Sequence, residues 1–257
     1  QAGYEAVYMT GAGTSLSKGF PDLGLLDMGE MVGNAAVMAR SIQVPLIADA
    51  DTGYGNELNV TRTVREYEAR GVAAIHIADQ VAPKRCGHLD GKEVISRAEF
   101  ASKISAAVMA RRSKDFLIIA RTDSRAVLSL DEAIDRANAA LDVGADIAFV
   151  EAPQNLDEVA LIPQRVKGPC LLNVVPNGKT PAFDLREAGQ MGYRLAILPG
   201  LLITATIAAA DAALAQLRST FIPPVAAASV TANFRRFGAD EWDAIRTRFN
   251  AGTPIGR

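Results

Sequence analysis

Four times along this chain a glycine is followed by a short apolar run and then by a polar loop. The copies are Gln1-Ala2-Gly3, 6–9 and Thr10-Gly11-Ala12-Gly13; Gly71, 73–77 and Asp79-Gln80; Gly144, 146–150 and Glu151-Ala152-Pro153; Gly192, 195–198 and Pro199-Gly200. Glycine tolerates the left-handed backbone that ends a helix, so each copy predicts helix tail, cap, strand and loop. Three more apolar runs, 44–48, 116–120 and 170–174, fit between them, with helical segments at 57–69, 97–111 and 130–143. Strands that alternate with helices and lack polar alternation are buried on both faces, as in a parallel sheet.

The strand ends choose between a doubly wound sheet and a barrel. Nearly every run finishes in chemistry: Thr10-Gly11, Asp49-Ala50-Asp51, Asp79-Gln80, Arg121-Thr122-Asp123, Glu151 and Asn173. Functional groups supplied by many strand ends around one mouth are the (β/α)8 pattern, whereas a doubly wound sheet concentrates its site at one switch point. The expectation is a (β/α)8 TIM-type barrel over residues 1–220, with seven strands countable and a first βα unit missing ahead of Gln1-Ala2-Gly3. After Ile222-Pro223-Pro224 the pattern changes to helices at 225–237 and 240–249, ended by Gly252-Thr253-Pro254. This C-terminal helical arm, 221–257, carries Phe234, Phe237, Trp242 and Phe249 and needs an apolar surface to cover, on its own barrel or on a neighbouring subunit.

Composition narrows the classes. A formal net charge of −2 with no long basic run gives nucleic-acid binding no support. Two cysteines, Cys86 and Cys170, make no disulfide framework and fit a reducing, cytoplasmic setting. The longest apolar stretch, 195–217, contains Pro199, Gly200 and Asp211, which argues against a membrane span. No signal peptide is visible at the start.

The chemistry concentrates in Lys84-Arg85-Cys86-Gly87-His88. A thiol beside fixed cations has a lowered pKa and exchanges protons near neutrality; a small loop filler is the alternative. Zinc is disfavoured because no CxxC exists and the second Cys and His lie far off, and a cysteine protease triad fits barrel loops poorly. Asp49 and Asp51 sit at i and i+2 on one side of an extended segment, before Gly53 and Gly55, and suit a hard divalent ion, Mg²⁺ or Mn²⁺; the alternative is a capping aspartate and a turn. Arg121 offers a planar fork to a carboxylate or pairs with Asp79 or Glu151. His76 reads as a satisfied core or mouth histidine. The 10–13 loop offers backbone N–H groups to an anion, and Asn173 is a polar donor or a turn residue.

These residues are similar to those of a known family. Tyr8-Met9-Thr10-Gly11, Asp49-Ala50-Asp51-Thr52-Gly53-Tyr54-Gly55, Asp79-Gln80, Lys84-Arg85-Cys86-Gly87-His88, Ala120-Arg121-Thr122-Asp123, Glu151-Ala152 and Lys179-Thr180-Pro181 resemble the isocitrate lyase / phosphoenolpyruvate mutase superfamily over about 1–220. The Cys86 loop is similar to its carbon–carbon lyase branch. The resemblance implies a barrel whose terminal helix swaps in a homodimer or homotetramer. It implies Mg²⁺ (or Mn²⁺) held by Asp51 directly and by Asp49 in part. It implies a small carboxylate substrate bound by Arg121, Thr10, Gly11 and Ala12, with Tyr8, Glu151 and Asn173 lining the site. Cys86 would be the general acid, with His88, Lys84 and Arg85 polarising it and binding a second carboxylate. Pro199 is similar to the methylisocitrate and dimethylmalate lyases, where oxaloacetate-hydrolysing relatives tend to carry Ser. Two positions depart from the family, Ala78 and Pro176, where a Glu is usual; both make the site less anionic.

Overall fold

The computed structural model describes residues 2–181 and 183–250. Seven strands run parallel in sequence order: β1 Val7–Met9, β2 Leu46–Asp49, β3 Ala74–Ala78, β4 Leu117–Thr122, β5 Ile147–Val150, β6 Cys170–Asn173 and β7 Tyr193–Ile197. Each neighbour pair is joined through helices, so the sheet curls into a nearly closed barrel. Gly71, Gly144 and Gly192 take the expected positive φ of 79°, 102° and 111° between helix and strand.

Side chains alternate along each strand, and the alternation builds the molecule in layers. Outward residues such as Ala48, Ile75, Ala120, Val150 and Leu172 pack under the helices. Inward residues Ile47, Ala74, Ile119, Phe149, Leu171 and Ile197, one from each of β2 to β7, fill the barrel. Two residues further along the same inward face stand Asp49, His76, Arg121, Glu151, Asn173 and Pro199. The period of two therefore converts a ring of apolar residues into a ring of chemical ones at the C-terminal mouth.

The helices that hold this sheet are set by side-chain caps. In α2 (Met28–Ser41), Asp27 and Glu30 close a reciprocal capping box. In α3 (Glu57–Ala69), α4 (Arg97–Ala110), α6 (Leu130–Asp142) and α7 (Leu156–Arg165), the caps are Asn56, Ser96, Ser129 and Asn155. Short helices α1 (Gly11–Ser17), α5 (Ser124–Val127) and α8 (Leu185–Met191) complete this part.

Asp79, at the end of β3, does not meet Arg121 as the sequence allowed. It is fully buried and accepts from Arg136 Nη1 at 3.0 Å, Thr122 Oγ1 at 2.6 Å and the Asp123 N–H at 2.8 Å. Burial, with Asp123 nearby, pushes its pKa up to about 6. Replacing Arg136 by Met leaves that carboxyl without its cation, and the expected loss is about 3–5 kcal/mol by urea unfolding. The unfolded carboxyl ionises near 3.8 and the folded one higher, so the variant's stability should fall further as pH rises from about 4 through 6.

The chain divides into two compact units, 1–204 and 205–257. Pro199 and Gly200 divide the apolar stretch as expected, between β7 and α9 (Leu201–Thr220), but Asp211 does not break it: α9 runs through that residue. By length and composition alone this helix could cross a membrane, and none of its residues is buried. The helix expected at 225–237 begins later, as α10 (Val230–Arg236), because Ser229 caps it; α11 (Ala239–Asn250) follows. Phe221, Phe234, Phe237, Trp242 and Phe249 are all exposed. The stop signal at Gly252-Thr253-Pro254 lies outside the described residues.

Candidate active site

The mouth is organised around two charge clusters, each fastened to the 84–88 loop. In the first, Lys84 Nζ lies 3.0 Å from Asp51 Oδ1, 3.3 Å from Asp49 Oδ2 and 3.4 Å from Asp22 Oδ1. Asp49 also accepts from the Gly11 N–H at 3.2 Å and the Asp51 N–H at 2.8 Å. The 10–13 loop is thus the first turn of α1, and its Gly11 donor is directed to Asp49; Thr10 accepts from the Gly13 N–H as the cap, with Ala12 beside it in the same turn. Asp51 is held at φ 51°, a left-handed conformation uncommon outside glycine, and its carboxylate meets the same Lys84 ammonium as that of Asp49. Burial alone would raise the Asp49 carboxyl; His76, Lys84 and Arg121 reverse that and hold it at about 2. Burial pushes His76 toward its neutral form, so the lasting charge on Asp49 comes from the two cations.

Among the described residues, no group of three or more His, Cys, Asp or Glu side chains is gathered at metal-ligand spacing. The three carboxylates converge on an ammonium instead. Their all-oxygen donor set around one cation is the chemistry that Mg²⁺ or Mn²⁺ takes. Ala78 contributes only its N–H, which donates to the Asp51 carbonyl at 2.8 Å; the third carboxylate is Asp22, from the loop after α1.

The second cluster runs across β4, β5 and β6. Arg121 forks onto Asp123 with Nε–Oδ2 at 2.9 Å and Nη2–Oδ1 at 3.2 Å, and its Nη2 lies 3.5 Å from Glu151 Oε1. Its guanidinium carbon stands 5.1 Å from the centre of the Phe149 ring. Asn173 Nδ2 donates to both Glu151 oxygens at 3.1 and 3.2 Å. Tyr8 OH meets His76 Nε2 at 2.8 Å.

The Cys86 loop lies directly on this second cluster. A Cβ added to Gly87 would sit 2.0 Å from Glu151 Oε1 and 2.5 Å from Arg121 Nη2, so only glycine allows this approach. His88 Nε2 is 3.4 Å from Glu151 Oε1, and its Nδ1 accepts from the Lys179 N–H at 3.0 Å. Lys179 Nζ reaches Asp90 at 2.7 Å. Lys92 Nζ donates to the Gly87 carbonyl and, at 3.0 Å, to Asp123. Gln80 clamps the backbone of Arg85, accepting from its N–H and donating to its carbonyl, both at 2.9 Å.

The expected activation of the thiol by Lys84 and Arg85 is overturned. Lys84 is turned to the aspartates and Arg85 to the Asp90 carbonyl on the exposed side. Burial therefore dominates and pushes the Cys86 thiol up, so it stays protonated. Four buried side-chain atoms lack a hydrogen-bond partner among the described residues: His76 Nδ1, His88 Nε2, Asn173 Oδ1 and Thr180 Oγ1. His76, His88 and Asn173 belong to this mouth, and Thr180 follows Lys179 of the adjoining loop. Such polar groups await a ligand or water.

Sequence reasoning missed Asp22 and Lys92, and it gave Asp123 and Lys179 no role of their own although both stand in motifs it singled out. Pro199 follows β7 as placed, half-buried in the turn.

The profile of the phosphoenolpyruvate phosphomutase family matches residues 1–218. The 2,3-dimethylmalate lyase of Eubacterium barkeri is 48% identical over 216 residues, 84% of this chain and 73% of that protein. The 2-methylisocitrate lyase of Aeropyrum pernix is 44% identical over 215 residues, 84% of this chain and 69% of that one. Among solved structures, a 2,3-dimethylmalate lyase superposes with a TM-score of 0.92 at 40% identity, covering 96% of this chain and 84% of its own. An oxaloacetate acetylhydrolase bound to 3,3-difluorooxalacetate gives 0.92 at 38% identity, with 99% and 87% covered. A phosphonopyruvate hydrolase complexed with oxalate and Mg²⁺ gives 0.86 at 30%, with 97% and 88% covered. A barrel mouth of this composition, matched over most of its length by these relatives, places the chain in the phosphoenolpyruvate mutase / isocitrate lyase superfamily, as an enzyme of the lyase kind.

Proposed function

We propose that this protein cleaves the C2–C3 bond of a 2-hydroxy di- or tricarboxylate of the 2,3-dimethylmalate or 2-methylisocitrate type, releasing a 2-oxo acid such as pyruvate and a second carboxylate. The observation that carries this reading is the seating of the Cys86–His88 segment on the Arg121–Glu151 pair. On this reading the Cys86 thiol, kept protonated by burial, stands at the edge of a mouth that binds an anion. The named activities of the 48% and 44% identical relatives support the same chemistry.

Each residue has a task in a retro-aldol step. Arg121 binds the carboxylate of the 2-oxo fragment, with the α1 turn of Thr10, Gly11 and Ala12 beside it. Asp22, the carboxylate nearest solvent in its cluster, takes the hydroxyl proton. As the C2–C3 bond breaks, its electron pair stays on C3. The Cys86 thiol gives that carbon its proton, and solvent later re-protonates the thiolate. His88 binds the departing carboxylate. Asp51 and Asp49 would hold Mg²⁺ or Mn²⁺, which when bound supplies Lewis-acid charge to the 2-oxo fragment. Loop 84–92 excludes water while the carbanion exists.

The test is a panel of 2,3-dimethylmalate, 2-methylisocitrate, oxaloacetate and phosphonopyruvate with millimolar Mg²⁺. Pyruvate release from one of the first two, stopped by EDTA, is expected. Release of oxalate from oxaloacetate alone, or of phosphate from phosphonopyruvate alone, would move the protein to a hydrolase role.

The arm supports a second part of the reading. A run of exposed Phe221, Phe234, Phe237, Trp242 and Phe249 is more apolar surface than a soluble monomer leaves open. We assign it to a homodimer or homotetramer in the cytoplasm, with a second copy covering α9 to α11. Light scattering should give a multiple of 27.2 kDa, and Trp242→Glu should lower it; a wild-type monomer at micromolar concentration would refute this assignment.

A further inference from the structure

The ammonium of Lys84 occupies the centre of the carboxylates that the proposed metal needs. Its side chain is 2% exposed, and its three partners lie at 3.0, 3.3 and 3.4 Å. Lys84 takes Asp49 Oδ2 and Asp51 Oδ1, oxygens that a divalent ion between the same two carboxylates would draw on. An ammonium and a doubly charged ion at contact distance also repel strongly in a buried setting. Two cations therefore compete for one anionic cage.

The competitor is part of the active-site loop. Lys84 stands two residues before Cys86, and its backbone is packed hard against Gly24, where an added Cβ would be 2.8 Å from the Lys84 nitrogen. Cys86 itself donates its N–H to the Asp22 carbonyl at 3.2 Å, next to the carboxylate that holds Lys84. The side chain has little freedom to leave the cage while this backbone stays in place. Gln80 fixes Arg85 between them, so a displacement at Lys84 is passed along the loop rather than absorbed.

We propose that Lys84 is a built-in stand-in for the divalent cation: metal and ammonium hold Asp49 and Asp51 in turn, and metal loading expels Lys84 and shifts the loop that carries Cys86. The exchange keeps the buried carboxylates neutralised at every stage, so neither state leaves bare charge in the mouth. It also makes the loop sensitive to metal before any substrate arrives.

This inference rests on the metal reading of Asp49 and Asp51, and the experiment separates the two. Mn²⁺ binding is followed by the loss of its free paramagnetic signal in the wild type, Lys84→Met and Lys84→Arg. Removing the competing cation should tighten Mn²⁺ binding at least tenfold in Lys84→Met, and Lys84→Arg should stay near the wild type. Equal or weaker binding in Lys84→Met overturns the stand-in role and leaves the metal site intact; binding in none of the three overturns both. The second readout needs no variant at Lys84. In a Cys170→Ser background, the rate at which iodoacetamide labels Cys86 should change at least threefold on adding Mg²⁺ without substrate. An unchanged rate overturns the coupling to the loop.

Discussion

Replacing Cys86 by serine should lower kcat for carbon–carbon cleavage by about 10²–10⁴-fold while KM moves only a few-fold. The hydroxyl fits the same space but is a far weaker acid, so the carbanion waits for water. The loss is expected in the chemical step, because the proposed mechanism has Arg121 and its neighbours, not the thiol, binding the substrate's carboxylates. The pH profile carries the same assignment. Burial pushes the thiol up, so the acid is protonated and active through neutrality, and activity is lost only as pH rises through its raised pKa. That alkaline limb should disappear from the residual rate of Cys86→Ser. Full activity in the variant on every substituted malate would remove Cys86 from the mechanism.

Arg121→Lys should be nearly as damaging, in two measurements at once. The guanidinium satisfies Asp123 with two donors, stands 3.5 Å from Glu151 and lies over Phe149. A lysine cannot reproduce the fork. Asp123 is held well below the usual carboxylate range, against burial, first by Arg121 and then by Lys92. With the fork gone but Lys92 still on Asp123, about 1.5–3 kcal/mol of folding stability should be lost, a sizeable share of a typical total of about 5–15 kcal/mol. Separately, kcat/KM should fall about 10²-fold or more, and pyruvate should inhibit far less. A variant that loses stability but keeps its affinity for pyruvate would make Arg121 a structural residue and move carboxylate binding elsewhere.

What the sequence made legible follows from local rules. The glycine before each strand marks a helix end because few other residues adopt that backbone. The ring of Asp49, His76, Arg121, Glu151 and Asn173 was readable because each ends an apolar run and the strand period of two points them the same way. Asp22 and Lys92 were not readable. They come from loops whose spacing carries no period, and only the closed barrel brings them together. The thiol was misread for a related reason. Adjacent cations in sequence predicted a lowered pKa, but Lys84 spends its charge on aspartates from two other loops. The bare count of acids was incomplete as well: Asp22 supplies a carboxylate to the first cluster from another loop.

Asp123 is shared by two lysine- and arginine-bearing elements that do different things. It takes the Arg121 fork on one side and Lys92 on the other, and Lys92 also holds the Gly87 carbonyl. One buried carboxylate therefore joins the arginine proposed to hold substrate to the loop proposed to cover it. Energies measured by changing Lys92 and Arg121 one at a time will not sum to the double change, because each removal alters what the shared partner offers the other. On the proposed reading affinity and closure form one coupled unit, and a new substrate preference reached through Arg121 would carry a change in loop behaviour with it.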